Sequence, residues 1–185
     1  TMGSMSDPYN PFEKELQLTR HALELIDAYQ CGVAAATKSD LIVRDMDLYR
    51  MIQDHSLVIC KVTVTTTDDA LAAKIESHAP PPSRRLQALE ELSKAGIFSG
   101  VLLMPVLPFL EDSAENVLSV VDSAARAGAR FVYAAFGVTM RDGQRDYFLN
   151  GLDWAFPGMG EQYRKRYGTR YYCSSPRAKE LWQRV

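Results

Sequence analysis

The sequence predicts an α/β protein whose parallel sheet takes the form of a partial, barrel-like (β/α) arrangement, with a helical extension at the C-terminal end. Three observations carry this. Four apolar, β-prone stretches alternate with segments of helical periodicity, the pattern of right-handed βαβ units. Each stretch stops abruptly in polar residues, as a buried parallel strand does at its carboxyl end. The chain has 185 residues, of which 46% are hydrophobic, enough for a sizeable core. The expected division is 1–139 for the barrel part and 140–185 for the extension packed on it.

The chain opens on a loop, Gly3 to Glu13, with prolines at 8 and 11. The residue before each proline is pushed towards extended backbone, so no helix starts before Pro11. Asn10 then serves as N-cap with Pro11 as first helical residue, and Glu13 stands at capping-box spacing. Apolar residues at 12, 16, 18, 22, 23, 25 and 26 give one helix from Pro11 to Tyr29. Cys31–Thr37 is a short apolar strand that ends in Lys38-Ser39-Asp40, and a helix follows over Leu41–Asp54. Leu57–Thr66 is the most β-rich stretch. Asp68-Asp69 caps a helix through Ile75, Pro80–Pro82 breaks it, and Ser83 caps the next, which Gly96 closes. Ile97–Val106 is the third strand, Ser113–Ala127 a helix and Ala129–Phe136 the fourth strand. The stub before Ser4 is the end of a fifth.

The last third is aromatic and charged. Gln144–Tyr147 begins an amphipathic helix, Pro157-Gly158 breaks it, and Ser174-Ser175-Pro176 starts a short terminal helix. Arg164-Lys165-Arg166 is interleaved with Tyr163, Tyr167, Tyr171 and Tyr172, which is either a solvated helix end or a nucleic-acid surface.

Composition excludes several classes. Net charge is -2, so nothing demands a polyanionic partner. Cys31, Cys60 and Cys173 are odd in number and widely spaced, against a disulfide framework and for a reducing, cytoplasmic setting. No apolar run reaches membrane-spanning length, so no membrane partner is expected. His21, His55 and His78 share no metal-binding spacing, and there is no phosphate loop, G-x-G-x-x-G or nucleophile elbow.

In parallel sheets the chemistry sits at the carboxyl ends of the strands. Here those ends are Ser4–Asp7, Thr37–Asp40, Thr65–Asp68, Pro105–Asp112 and Gly137–Thr139, all polar where their strands are apolar. Lys38 ends a strand, so its stem is buried and its ammonium reaches the rim. It can clamp a carboxylate or phosphate, act as a Schiff-base nucleophile, or pair with Asp40 or Asp7. Thr65, Thr66 and Thr67 offer hydroxyls to a sugar or other polar ligand, or cap the strand end. These residues alone describe a barrel-like α/β domain that binds a small polar ligand at one rim.

Ser4–Pro11 with Glu13, Thr37–Ser39, Thr65–Asp68, Ile75-Glu76, Gly96-Ile97 and Pro105–Pro108 resemble, in order, the radical SAM proteins of the spore-photoproduct-lyase-like group. The tail, Arg141–Tyr147 and Tyr172–Pro176, resembles one uncharacterised branch. The resemblance covers nearly the whole chain. It implies a partial (β/α)6 barrel holding a [4Fe–4S] cluster and S-adenosylmethionine, from which reductive cleavage releases a 5′-deoxyadenosyl radical that takes a hydrogen atom from the substrate. It places Ser6, with Asp7 and Ser4 beside it, at the methionine moiety. Lys38 stands on the methionine carboxylate and Thr65 is the strand-end hydroxyl near the cofactor.

The family's C-x-x-x-C-x-x-C, whose three thiolates ligate three irons of the cluster, is absent. It precedes the segment matched here from Gly3. The expectation is therefore a C-terminal fragment without the first strand, the cluster loop and most of the second strand. Such a fragment has an unpaired sheet edge, no bound cofactor and no activity of its own, although its parent is an enzyme. Thr1–Ser4 is then native sequence or an expression remnant. Ser4 stands where the family's DNA-repair lyase carries its hydrogen-donating cysteine, so the substrate is left open, DNA or another. Two other functions remain: a TIM-barrel-like aldolase or lyase with Lys38 as Schiff-base residue, and a nucleic-acid-binding module using the Tyr/Arg tail.

Overall fold

A computed structural model describes residues 1–185, and all four expected strands are present. They are β1 (Val33–Thr37), β2 (Val58–Thr63), β3 (Ser99–Leu103) and β4 (Val132–Ala134), parallel and hydrogen-bonded in the order β1-β2-β3-β4. Each strand's neighbour is the next one in sequence, so the order never reverses. The strands are shorter than the apolar stretches because the flanking residues leave the ladder to form the rim. Met2 joins the outer edge of β1, donating to the Ala34 carbonyl at 2.7 Å and accepting from the Ala36 N–H at 3.1 Å. The stub ahead of Ser4 makes a single parallel bridge to Ala35 rather than a strand, and it covers part of the edge expected to be unpaired.

The first helix departs from expectation. The chain forms α1 (Glu13–Leu16), breaks at Gln17 with φ 49°, and resumes as α2 (Leu18–Ala28). Asn10 turns the preceding loop, its Oδ1 accepting from the Phe12 N–H at 3.1 Å, but it is not the helix cap. Glu13 does not reach back to it. Its carboxylate accepts from the Thr19 N–H instead, at 3.0 Å to each oxygen, and caps the first turn of α2.

After β1 a 3-10 turn (Asp40–Asp45) leads into α3 (Met46–Gln53). Two helices, α4 (Asp69–Ile75) and α5 (Pro82–Lys94), connect β2 to β3, and Asp68 caps α4 through the Ala70 and Leu71 N–H groups. Ser83 is not the cap of α5: Pro81 is, and Ser83 bonds Asp69 from inside the first turn. The next helix, α6 (Ala114–Arg126), falls within the expected 113–127, with Ser113 as its N-cap rather than its first residue, and it packs on β3.

One sheet face is packed and the other is open. Val33, Ala35, Val58, Cys60, Val62, Val101, Leu103 and Ala134 are buried in a core shared with Leu48, Ile52, Leu89, Val117 and Val120 of the helices. Of their neighbours of opposite parity, Ala34, Ala36, Ile59, Lys61, Leu102 and Tyr133 are half-buried or exposed, while Thr63 and Gly100 are buried.

In the C-terminal part, β5 (Gly137–Thr139) pairs antiparallel with β6 (Tyr172–Ser174), enclosing α7 (Arg145–Ala155) and α8 (Met159–Tyr167). These build a second small core from Met140, Leu149, Leu152, Tyr163, Tyr167 and Cys173. The terminal helix α9 (Ala178–Leu181) returns to the main core through Leu181, and Trp182 meets Phe136 edge-on at 5.1 Å. No helix is long and apolar enough to cross a membrane.

Candidate functional site

Asp7 organises the rim. Its Oδ1 accepts from the Thr37 hydroxyl at 2.6 Å and the Tyr9 N–H at 2.9 Å, and its Oδ2 accepts from the Lys38 N–H at 2.8 Å. Asp7 therefore fixes the end of β1 and the N-terminal loop against one another through backbone and hydroxyl donors. Gly3 allows this loop to cross β1: its φ is +90°, and a Cβ there would overlap the Ala36 carbonyl. Ser4 and Ser6 are exposed and line a depression of about 230 Å³ together with Asp7, Thr37, Lys38 and Thr63. Asp7 and Lys38 also line a neighbouring cleft of about 600 Å³, which Lys14, Glu76, His78 and Arg84 border on its other sides.

Lys38 pairs with neither Asp7 nor Asp40. Its Nζ bonds Glu76 Oε1, while Asp40 pairs with Arg84. Glu76 follows α4, and its other oxygen accepts from Arg85 Nη2 at 2.6 Å. Arg85 is 1% exposed and also donates to the carbonyls of Thr63, at 3.1 Å, and Pro80, at 2.7 Å. One buried guanidinium thus ties the end of β2 to the carboxylate that holds Lys38. Burial alone would raise the Glu76 carboxyl, but Lys38 and Arg85 on either side hold it below the usual carboxylate range.

Thr65 is brought to the same rim but lines neither opening. Its hydroxyl donates to Glu111 Oε1 at 2.6 Å, and Glu111 Oε2 accepts from the Leu107 N–H at 2.9 Å. Asn116 spans the two segments, donating to the carbonyls of Thr65 and Glu111 at 2.8 Å each. Glu111 is 1% exposed, and burial pushes its carboxyl up to about 7. Glu76 adds to the rise, and Thr65, Leu107 and Lys38 oppose it. Thr66 acts locally, its hydroxyl accepting from the Asp68 N–H, whereas the Thr67 hydroxyl meets that of Ser119 on α6 at 2.7 Å.

The structure therefore gathers Ser4, Ser6, Asp7 and Lys38 around one depression, while Thr65, bonded to Glu111, lies outside its lining. Glu76, Arg85, Glu111 and Asn116 escape the reading of the sequence as site residues. For Glu111 a signal was present, an acid in the polar segment after the third strand. Arg85 resembles any cation on a helix face.

The cysteines do not fit an iron–sulfur cluster. Cys31 is exposed ahead of β1, Cys60 is buried within β2 with its thiol raised to about 12, and Cys173 lies in the small C-terminal core. No group of three His, Cys, Asp or Glu side chains is placed to hold a metal. The charged groups the rim presents are the Lys38 ammonium paired with Glu76 and the Asp7 carboxylate bonded to the Lys38 N–H, complements to a carboxylate and an amine. Tyr163 and Tyr167 point into the C-terminal core, with hydroxyls on the Pro108 and Ser174 carbonyls, so of the four tyrosines only Tyr171 and Tyr172 are exposed.

No protein-family model matches the chain. It is 29% identical over 184 residues to the uncharacterized protein Rv2578c of Mycobacterium tuberculosis, covering 100% of this chain and 54% of that protein. It is 30% identical over 160 residues, 83% of this chain, to the uncharacterized protein ORF301 of Acidianus two-tailed virus, covering 50% of that protein. With the uncharacterized protein MJ0683 of Methanocaldococcus jannaschii it shares 36% identity over 111 residues, 60% of this chain and 41% of the other. The chain spans about half the length of the curated relatives it matches.

Proposed function

We propose that the rim binds the methionine end of S-adenosylmethionine. The chain is then the cofactor-binding part of a radical SAM enzyme of the spore-photoproduct-lyase-like group, with the [4Fe–4S] cluster held by residues outside it. The observation that carries this reading is the convergence of Asp7, Lys38 and Glu76 on the cleft of about 600 Å³ beside the end of β1, which adjoins the depression lined by Ser4 and Ser6. Two features support a partial barrel around it: a strand order without reversal, and one uncovered face on a parallel sheet, a kind of sheet normally covered on both.

Lys38 Nζ takes the carboxylate of the amino-acid moiety, and its ion pair with Glu76 suits a charge clamp rather than the free amine that Schiff-base chemistry requires. Glu76 accepts from the amino group while Arg85 fixes its orientation. Asp7 keeps Ser4 and Ser6 against the opening through the β1 end. The chemistry supplied by the bound and reduced cofactor is hydrogen-atom abstraction from a substrate, DNA or another.

The test is to express the chain with the sequence encoded ahead of Thr1 and to reconstitute it anaerobically with iron and sulfide. The expected result is a brown protein that cleaves S-adenosylmethionine. A colourless protein that leaves it intact overturns the reading.

A further inference from the structure

The open face of the sheet carries one charged side chain on its body, Lys61 at the middle of β2. Its register neighbours are Ala36 in β1 and Gly100 in β3, so small residues stand on both sides of its stem. Lys61 makes no ion pair, and its Nζ has no hydrogen-bond partner within the chain, although Lys38, Arg44 and Arg85 all have carboxylate partners. An ammonium with no carboxylate partner, on a strand flanked by alanine and glycine, gains most from an anion brought to it.

The β3–β4 side of the same face is aromatic. The Phe131 ring lies so close to Gly100 that a Cβ there would stand 2.7 Å from it. Phe98 stacks on Phe131 with centroids 5.7 Å apart and planes at 25°, and Tyr133 is 60% exposed beside them. Glycine at position 100 therefore brings a ring surface next to the lysine. Above this layer, Leu102 and Thr63 line the depression that holds Lys38 and Asp7, so the face is continuous with the rim.

We infer that this face binds a small molecule with an anionic group, phosphate or carboxylate, on a planar apolar body. Lys61 takes the charge and the Phe98–Phe131–Tyr133 surface takes the ring. That this ligand is the substrate rests on the reading of the rim as the cofactor site; the contact itself does not. Lys61 is then a specificity residue one layer below the cofactor contacts, favouring acidic over neutral ligands.

The probe is phenyl phosphate, titrated calorimetrically into the 185-residue chain alongside phenol and inorganic phosphate. Phenyl phosphate is expected to bind more tightly than either, since each reproduces half of the recognition. Lys61→Met should weaken it by about tenfold or more and Lys61→Arg by no more than about threefold, as the loss and the retention of one charge-assisted contact predict. Equal binding by Lys61→Met, a loss caused by Lys38→Met instead, or no binding at millimolar phenyl phosphate would overturn the assignment. A Lys61-dependent site in a protein whose reconstituted longer form does not cleave S-adenosylmethionine keeps the anion site and removes the cofactor reading. Cleavage without a Lys61-dependent site does the reverse.

Discussion

Two networks of ionised side chains flank β1, and they differ in what they leave free. At the start of the chain, Glu13 is 3% exposed and bonded to the Thr19 N–H and Arg44, Arg44 also grips Asp45, and Arg20 joins Asp45 to Asp47. Every carboxylate there has a cation, and the effect is to lock the N-terminal loop onto α2 and α3. At the strand ends, Arg85, Glu76 and Lys38 form a shorter chain that stops at a half-exposed ammonium facing an opening. Beside it, Glu111 is buried with no cation bonded to it. Closed networks of buried charge brace a fold, and one that ends at a cavity is arranged to receive something.

The comparison breaks most readily at Arg85. Arg85→Met leaves Glu76 with only the half-exposed Lys38 and the Thr63 and Pro80 carbonyls without a donor, so unfolding in denaturant should show a loss of about 3–5 kcal/mol. A loss below about 1 kcal/mol would mean that the guanidinium is not a buried partner of this kind.

Glu111 should give the next largest effect, and it depends on pH. Its folded pKa, about 7, lies above the ordinary value of 4.5, so its stabilising contribution is complete below 4.5 and disappears as pH rises through 7. Between pH 4.5 and 8 the wild type should lose about 3 kcal/mol more than Glu111→Gln in thermal or chemical unfolding. Parallel curves for the two proteins would remove the perturbed carboxyl. Glu76 acts in the opposite sense: its pKa is lowered, so its contribution is present above 4.5 and is lost on acidification below that.

In the brace, Glu13→Gln weakens the cap of α2 and the Arg44 pair, for about 2 kcal/mol of stability, and should not change ligand binding at the rim. The smallest stability effect belongs to Lys38→Met. The side chain is 37% exposed and Glu76 keeps Arg85, so the change should stay below about 1 kcal/mol in the same unfolding assay. A large loss there would make Lys38 part of the scaffold and blur the contrast.

The alternation of strands and helices was legible because buried parallel strands need unbroken apolar stretches, and those stretches end where the chain meets solvent. The rim was legible for the same reason, and Asp7 and Lys38 do meet there. The break at Gln17 was not, since the apolar periodicity of residues 12–26 runs straight through it. What ends α1 is the demand of the Thr19 N–H for the Glu13 carboxylate, together with the pull of Arg44 from 31 residues away. The partner of Lys38 was mistaken on similar grounds. Asp7 and Asp40 are near in sequence or at the same rim, but the backbone N–H of Lys38 and the side chain of Arg84 claim them first, leaving Glu76. Arg85 and Glu111 gain their roles from burial that only the folded helices create.

The most direct test is calorimetric titration of S-adenosylmethionine into the anaerobically reconstituted longer protein and its Lys38→Met and Lys61→Met variants. Loss of at least about tenfold in affinity for Lys38→Met, with Lys61→Met within about twofold of wild type, is the predicted result. Binding by Lys38→Met as tight as wild type would contradict the assignment of the rim to the methionine carboxylate.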